Sequence, residues 1–165
     1  MRLAITDVAY HEDVARAACI LADSWDADRP IDSFVALRTP VADYVPGAFW
    51  QRELPVLLTL LEGVKPDIVI VDGYVWLDAE GRKGLGAHLY DALGAVIVGV
   101  AKQSFNGGEF AHTVVRGTSN KALWVTAVGM DPAIAAAHVL AMHGEHRIPT
   151  LLAAADRLAR RGDAP

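Results

Sequence analysis

The sequence predicts an α/β protein in which a central β-sheet of mixed strand directions is flanked by helices. Two observations carry this prediction. Residues 68–72, Ile-Val-Ile-Val-Asp, form a short aliphatic run after a Pro-Asp turn, which is typical of a strand buried on both faces of a partly parallel sheet. Three short apolar segments with turn-like links precede this run, and helical and strand-like segments alternate after it.

The first half of the chain contains three predicted strands, residues 3–10, 14–22 and 33–38, which form an antiparallel meander. The pattern of 14–22 suits a helix or a strand, but its short length and polar flanks favour a strand. A helix is predicted over 48–62, with one apolar stripe. Because proline lacks an amide hydrogen, Pro55 should either break this helix or begin it.

The second half continues from strand 68–72 with alternating elements. A helix is predicted over 81–93 and a strand over 95–100; a hairpin follows from 110–115 and 122–128, and two helices over 131–143 and 150–161. This order of elements is the ribonuclease H-like arrangement. A chain of 165 residues is long enough for one domain, residues 1–165, with a single substantial core.

Composition narrows the class of protein. No apolar run approaches the length of about 20 residues that spans a bilayer, so we expect no membrane partner. The single cysteine, Cys19, excludes an internal disulfide and is typical of a reducing, cytoplasmic setting. The net charge of −5 disfavours broad, nonspecific attraction to nucleic acid, but permits a small basic patch beside an acidic metal site.

Three acids occur where a metal site could form. Asp7 lies in the first strand, Glu53 in the turn-to-helix segment, and Asp72 at the end of a buried strand beside Gly73. The first strand is normally central in this topology, so Asp7 and Asp72 should be neighbours. Carboxylates without histidine or thiolate partners favour Mg²⁺ or Mn²⁺. For Asp72 alone, a simple loop cap would explain the residue equally well.

The motifs around these acids resemble those of the endonuclease V family. Asp7-Val8-Ala9-Tyr10 is similar to the family's Asp-Val-x-Tyr. Seven further motifs follow in the family's order: Tyr44-Val45-Pro46-Gly47, Arg52-Glu53-x-Pro55, Val71-Asp72-Gly73, Gly84-Leu85-Gly86-Ala87-His88-Leu89, Gly99-Val100-Ala101-Lys102, and near the end Arg147-Ile148-Pro149 and Ala155-Asp156-Arg157-Leu158-Ala159. No single motif is specific, but their shared order over nearly the whole chain is.

The resemblance implies a metal-dependent nuclease that recognises inosine in DNA or RNA, as a single strand or a flipped base, and cuts just 3′ of it. It implies that Asp7, Glu53 and Asp72 are the catalytic acids and the ligands of Mg²⁺ or Mn²⁺. Lys102 would contact the scissile phosphate. The remaining residues implied to bind nucleic acid are Tyr44, Val45, Pro46, Gly47, Phe49 and Gly73, with the Tyr44 ring filling the gap left by the flipped base.

The chain also departs from the family's motifs. Val75 replaces a glycine after Asp72-Gly73, which predicts a narrowed base pocket and a weak preference for inosine. Asp78 and Glu80 lie where the family has a basic His-Pro-Arg, and Met130 ends a segment where it has Ser-x-Gly-His. Two alternatives therefore stay open: a nucleic-acid-binding or regulatory protein with weakened catalysis, and a nuclease acting at another nucleotide.

Overall fold

The computed structural model describes residues 1–39, 43, 45, 46 and 48–161. These residues form seven strands and four helices. In chain order the elements are β1 (Leu3–His11), β2 (Val14–Ala22), β3 (Asp32–Arg38), α1 (Trp50–Leu61), β4 (Ile68–Asp72), α2 (Leu85–Leu93), β5 (Val96–Ala101), β6 (His112–Val114), β7 (Leu123–Val128), α3 (Pro132–Ala141) and α4 (Thr150–Arg160).

All seven strands belong to one sheet, in the order β3-β2-β1-β4-β5-β7-β6. The first three strands form the predicted antiparallel meander. β4 runs parallel to β1 and to β5, whereas β7 is antiparallel to β5 and to β6. The mixed sheet is therefore confirmed, and segment 14–22 is a strand. Because β1, β4 and β5 are parallel neighbours, their carboxyl ends meet at one edge of the sheet.

A separate apolar layer covers each face of the sheet. Ile5 and Ile70 point towards α3 and α4, and the residues before them, Ala4 and Val69, point towards α1 and α2. The first four residues of β4, Ile68–Val71, are consequently buried on both faces, as the aliphatic run predicted. Asp72 ends this strand where the two helical layers part, so that its carboxylate reaches the surface.

Helix α1 corrects one prediction. It begins at Trp50 and continues through Pro55, which neither breaks the helix nor begins it. Proline removes the hydrogen bond to the carbonyl of Gln51 in the second turn, a local cost. The side chains of Val56, Leu57 and Leu60 are buried against the sheet just beyond it, and this burial offsets the loss.

Helix α2 begins four residues later than predicted. Residues 76–83 form a tight reverse turn, in which the Leu77 amide donates to the Arg82 carbonyl at 2.8 Å. Gly81 has φ +84°, a left-handed conformation that favours glycine and is incompatible with a helix. The turn delays α2 until Leu85. Strand β6 is also shorter than the predicted 110–115. None of the helices among the described residues is long and apolar enough to cross a membrane.

Candidate active site

The carboxyl ends of β1 and β4 bring Asp7 and Asp72 together. The two strands are parallel, with Ile5 aligned to Ile70, and each aspartate follows two residues after that pair. Side chains two residues apart along a strand point to the same face, so both carboxylates extend over the same side of the sheet. Between them, the Thr6 hydroxyl donates to the Ile70 carbonyl at 2.9 Å and holds the strand ends together.

Lys102 reaches the same edge from β5. It follows the last residue of that strand, and its Nζ lies 2.7 Å from Asp72 Oδ2. The same ammonium is 3.7 Å from Asp156 Oδ1. Burial lowers the pKa of Lys102, but the hydrogen bond and charge of Asp72 outweigh burial, and the pKa is raised. Lys102 is therefore a cation among acids.

Asp156 joins the site from α4, and its contribution was missed in the sequence. In the sequence it is one residue of the motif Ala155-Asp156-Arg157-Leu158-Ala159, which by itself indicates no role for it. Helix α4 packs across β1 and β2, and Asp156 lies beside the buried Ala155, at the border of the helix's apolar face. Its side chain is hydrogen-bonded to Asp7. An acid at the border of a buried helical face is the signal available in sequence, but only the packing of α4 on β1 gives it a partner.

Asp7 has a raised pKa and keeps its proton over a wider range of pH than an ordinary aspartate. Burial, then the nearby charge of Asp72, raise its pKa from the ordinary 3.8 to about 7, and its hydrogen bond to Asp156 acts in the same direction. Burial raises the pKa of Asp156 too, but the hydrogen bond from Asp7 and the nearby cations outweigh burial and lower it. These opposite shifts favour Asp7 as the donor and Asp156 as the acceptor of their hydrogen bond. The site carries more negative charge than its own lysine neutralises.

Glu53 approaches from α1 and is held by the first strand. Only 6% of the residue is exposed, and its Oε1 accepts a hydrogen bond from the Tyr10 hydroxyl at 3.1 Å. The Arg52 guanidinium lies over the Tyr10 ring, 4.3 Å from its centroid. Burial raises the pKa of Glu53 well above its usual value, and the charges of Asp7 and Asp72 contribute to the increase. Glu53 therefore lies within electrostatic reach of both aspartates.

The donor set suits a hard divalent cation by its chemistry. Asp7, Asp72, Asp156 and Glu53 offer oxygen ligands, which Mg²⁺ and Mn²⁺ prefer. Burial and then the charge of Asp72 raise the pKa of Asp7, and a cation beside the two carboxylates would oppose this shift. Within residues 1–39, 43, 45, 46 and 48–161, however, no group of three such side chains is already gathered closely enough to hold an ion. Positive charge comes from Lys102, 2.7 Å from Asp72, and from Arg160, 3.0 Å from Asp156.

An aromatic cavity of about 470 Å³ opens beside the acids. Its wall includes Phe49 and Gly73, together with Asp72 and Lys102, and its other lining residues are Trp50, Tyr74, Leu77, Gly84, Leu85, Ala101, Gln103, Ser104 and Phe105. Three local contacts hold the side chains of this wall in place. Trp50 stacks on His88, with ring centroids 3.9 Å apart. The Tyr74 hydroxyl donates to the Gln103 carbonyl at 2.6 Å, and the centroid of the Tyr74 ring lies 6.2 Å from that of Phe105.

Several residues singled out in the sequence lie elsewhere. Val75 is fully buried and packs under α2, where the Gly86 backbone approaches it closely. It therefore does not narrow the cavity, and that expectation is wrong. Met130 packs against the apolar layer beneath α3 and α4. Asp78 accepts a hydrogen bond from the Arg82 amide at 2.8 Å within the turn before α2, where Glu80 is exposed.

The segment that resembles the family's Tyr-Ile-Pro-Gly precedes α1. Tyr44 and Gly47 lie outside the described residues. Val45 and Pro46 are exposed, and Phe49, which is 39% exposed, lines the aromatic cavity. Val45 and Pro46 therefore present apolar side chains to solvent, and Phe49 connects the described part of this segment to the cavity.

The chain is similar to known proteins over most of its length. Residues 1–130 match the family model described as Endonuclease V. Endonuclease V of Streptomyces avermitilis is 31% identical over 97% of this chain and 80% of its own length. Endonuclease V of Xanthomonas oryzae pv. oryzae (strain PXO99A) is 32% identical over 99% of this chain and 78% of its own length.

Solved structures show the same fold. The crystal structure of the Streptomyces avermitilis protein has a TM-score of 0.74 and 26% identity, covering 97% of this chain and 80% of that one. Ciona intestinalis Endonuclease V (D234N), solved in complex with a 23mer DNA containing an inosine followed by a ribo-adenosine, has a TM-score of 0.82 and 17% identity, covering 96% and 83%. The family match over 130 residues and the relatives above 30% identity show that this chain belongs to the endonuclease V family.

Proposed function

We propose that this protein is a divalent-metal-dependent endonuclease that hydrolyses a phosphodiester bond next to an inosine in DNA or RNA. One observation carries the proposal: Asp72 and Lys102 line an aromatic cavity large enough for a purine base, and Asp7 and Asp156 lie beside them. Acids and a lysine suit a phosphodiester, and the aromatic walls suit an extruded base. The complex of the Ciona relative with inosine-containing DNA supports this assignment.

Mg²⁺ or Mn²⁺ would be held by Asp7 and Asp72, with Asp156 and Glu53 on either side. The ion, when bound, would lower the pKa of an attacking water and neutralise charge on the phosphate. A cation at this position also removes the need for Asp7 to keep its proton, because the positive charge compensates two adjacent carboxylates. Glu53, oriented by the Tyr10 hydroxyl, supplies a further oxygen from the opposite side.

Lys102 and the cavity wall position the substrate. Lys102 lines the aromatic cavity, and its ammonium is paired with Asp72 in the acid cluster. It can therefore contact the phosphate of a nucleotide whose base lies in the cavity. Tyr74 and Phe105 supply faces on which the base stacks. The Gly73 backbone allows the close approach of a ring, because glycine has no side chain.

The Tyr44 ring, with Val45, Pro46 and Gly47, is proposed to fill the gap that the extruded base leaves. Truncation to Tyr44→Ala should weaken strand binding by roughly 1–3 kcal/mol, the range for stacking of a base on an aromatic ring. Binding curves that do not change would remove Tyr44 from the site. We also propose that the protein works in a reducing, cytoplasmic setting, which the single cysteine, Cys19, favours.

The proposal is tested by cleavage of matched strands. Inosine and adenosine versions of one sequence, as DNA and as RNA, are incubated with Mg²⁺, Mn²⁺ or a chelator. We expect metal-dependent cleavage of the inosine strands and its loss in Asp72→Asn, with the exposed Asp23→Asn as a matched control. Strand binding without cleavage by the wild type would instead favour a weakened, regulatory relative, in which Lys102 permanently occupies the place of the cation. Equal cleavage of the adenosine strands would indicate a different base specificity.

A further inference from the structure

A second concave surface adjoins the acids and shares only Asp72 with the lining of the aromatic cavity. It is a groove of about 530 Å³ between the end of β1 and helix α4. Asp7, Asp72 and Asp156 form its inner end, and Val8, Ala9, Tyr10, His11 and Arg160 form the rest. Asp72 lines both the groove and the aromatic cavity. The acid cluster therefore lies where two different surfaces meet.

The two surfaces differ in chemistry. The aromatic cavity offers ring faces, whereas the wall of the groove beyond the acids carries the exposed His11 and the Arg160 guanidinium. Arg160 lies one turn after Asp156 on α4, about 6 Å further along the helix axis. Its Nε is 3.0 Å from Asp156 Oδ1, and its side chain is 71% exposed. The ion pair uses one edge of the guanidinium, and the planar group can contact a phosphate through its remaining donors.

We propose that this groove holds the sugar-phosphate backbone on the 3′ side of the cut, with Arg160 contacting the first phosphate beyond the scissile one. This inference rests on the proposed function, because the polarity follows from a base in the aromatic cavity and from the cut 3′ of that base that the resemblance to the family implies. A strand that enters from the cavity and crosses the acids can leave along the groove. The acidic inner end alone would repel that strand, and Arg160 supplies the compensating charge on its outer side.

The test uses the salt dependence of binding. A strand with inosine near its 3′ end, terminating one nucleotide beyond the cut, is compared with the same strand extended by several nucleotides on the 3′ side. Binding is measured with Ca²⁺ in place of Mg²⁺, and recovery of uncut strand is checked on a gel. DNA and RNA versions are tested separately, because both offer the same phosphates.

Loss of one phosphate contact lowers the slope of log K against log salt by about 0.7 for a single strand. Arg160→Ala should lower the slope by about that amount on the extended strand and leave the short strand unchanged. Arg160→Lys should restore most of the slope. Arg157→Ala, which removes an exposed arginine three residues earlier on the same helix, should behave as the wild type, and melting temperatures check that all variants fold.

Two results would overturn the inference: an equal fall in slope on both strands, or no fall with Arg160→Ala. Failure of the proposed function looks different, since the wild type would then not cut the extended inosine strand in Mg²⁺ or Mn²⁺. A wild type that binds with the expected dependence on length and on Arg160, but does not cut, would retain the groove and reject the nuclease activity. A wild type that binds neither strand would reject both.

Discussion

The proton on Asp7 should make the stability of the metal-free protein fall as the pH rises. The folded protein keeps this proton up to about pH 7, whereas an ordinary aspartate has a pKa of 3.8. Between those values the unfolded chain binds fewer protons than the folded one, so the free energy of unfolding decreases with increasing pH. The stabilisation is complete below the lower value and is lost as the pH passes the higher one.

The size of this effect follows from the site. A rise from 3.8 to about 7 corresponds to about 4 kcal/mol, at about 1.4 kcal/mol per pH unit. The pKa of Asp156 is lowered by the hydrogen bond from Asp7, and this offsets part of the change. We therefore expect the metal-free protein to lose about 2–4 kcal/mol of unfolding free energy between pH 4 and pH 8.

Asp7→Asn isolates the effect, because an amide can still donate to Asp156 but cannot ionise. Urea unfolding, followed by tryptophan fluorescence, should show the variant to be more stable than the wild type at pH 8 by about 2–4 kcal/mol, and equal to it near pH 4. Mg²⁺ should stabilise the wild type more at pH 8 than at pH 5, since the proton competes with the cation, and should stabilise the variant little. Asp23→Asn, an exposed aspartate at the end of β2, should follow the wild type. Parallel curves for the Asp7 variant and the wild type would refute the reasoning.

Three further variants test the supporting structure. Val75→Ala should lower the free energy of unfolding by about 2 kcal/mol. It should not change the ratio of inosine to adenosine cleavage, because this fully buried side chain does not line the cavity. A changed ratio would restore the idea of a narrowed pocket. Gly99→Ala places a Cβ 2.5 Å from the Gly73 carbonyl oxygen and 2.9 Å from Thr126 Oγ1. The free energy of unfolding should fall by about 1–3 kcal/mol, and base binding should weaken. Urea unfolding that matches the wild type would show that the strands move apart without loss of stability. Tyr10→Phe removes the hydrogen bond to Glu53 and should lower the free energy of unfolding by about 1 kcal/mol. It should also reduce the stabilisation that Mg²⁺ gives. An unchanged response to Mg²⁺ would exclude Tyr10 as a positioning residue.

The sequence by itself predicted most of the strands and three of the four acids, Asp7, Glu53 and Asp72. Strands such as β2 and β4 are specified by local apolar patterns and by the turns that flank them, which need no knowledge of distant residues. Asp72 could be placed at a functional edge because a carboxylate ends a run of aliphatic residues. Asp7 could be placed next to Asp72 because the first strand is normally central in a fold with this order of elements.

Only the tertiary structure decided how the acids are partnered. Asp156 meets Asp7 because α4 crosses β1, although 149 residues separate the two in the chain. The direction of the Val75 side chain depends on how α2 lies over the sheet, and a residue-by-residue match to a motif does not contain that information. Helix α1 continues through Pro55 because burial on the sheet outweighs a local loss. Each of these outcomes depends on long-range packing, whose energy is invisible in a local pattern.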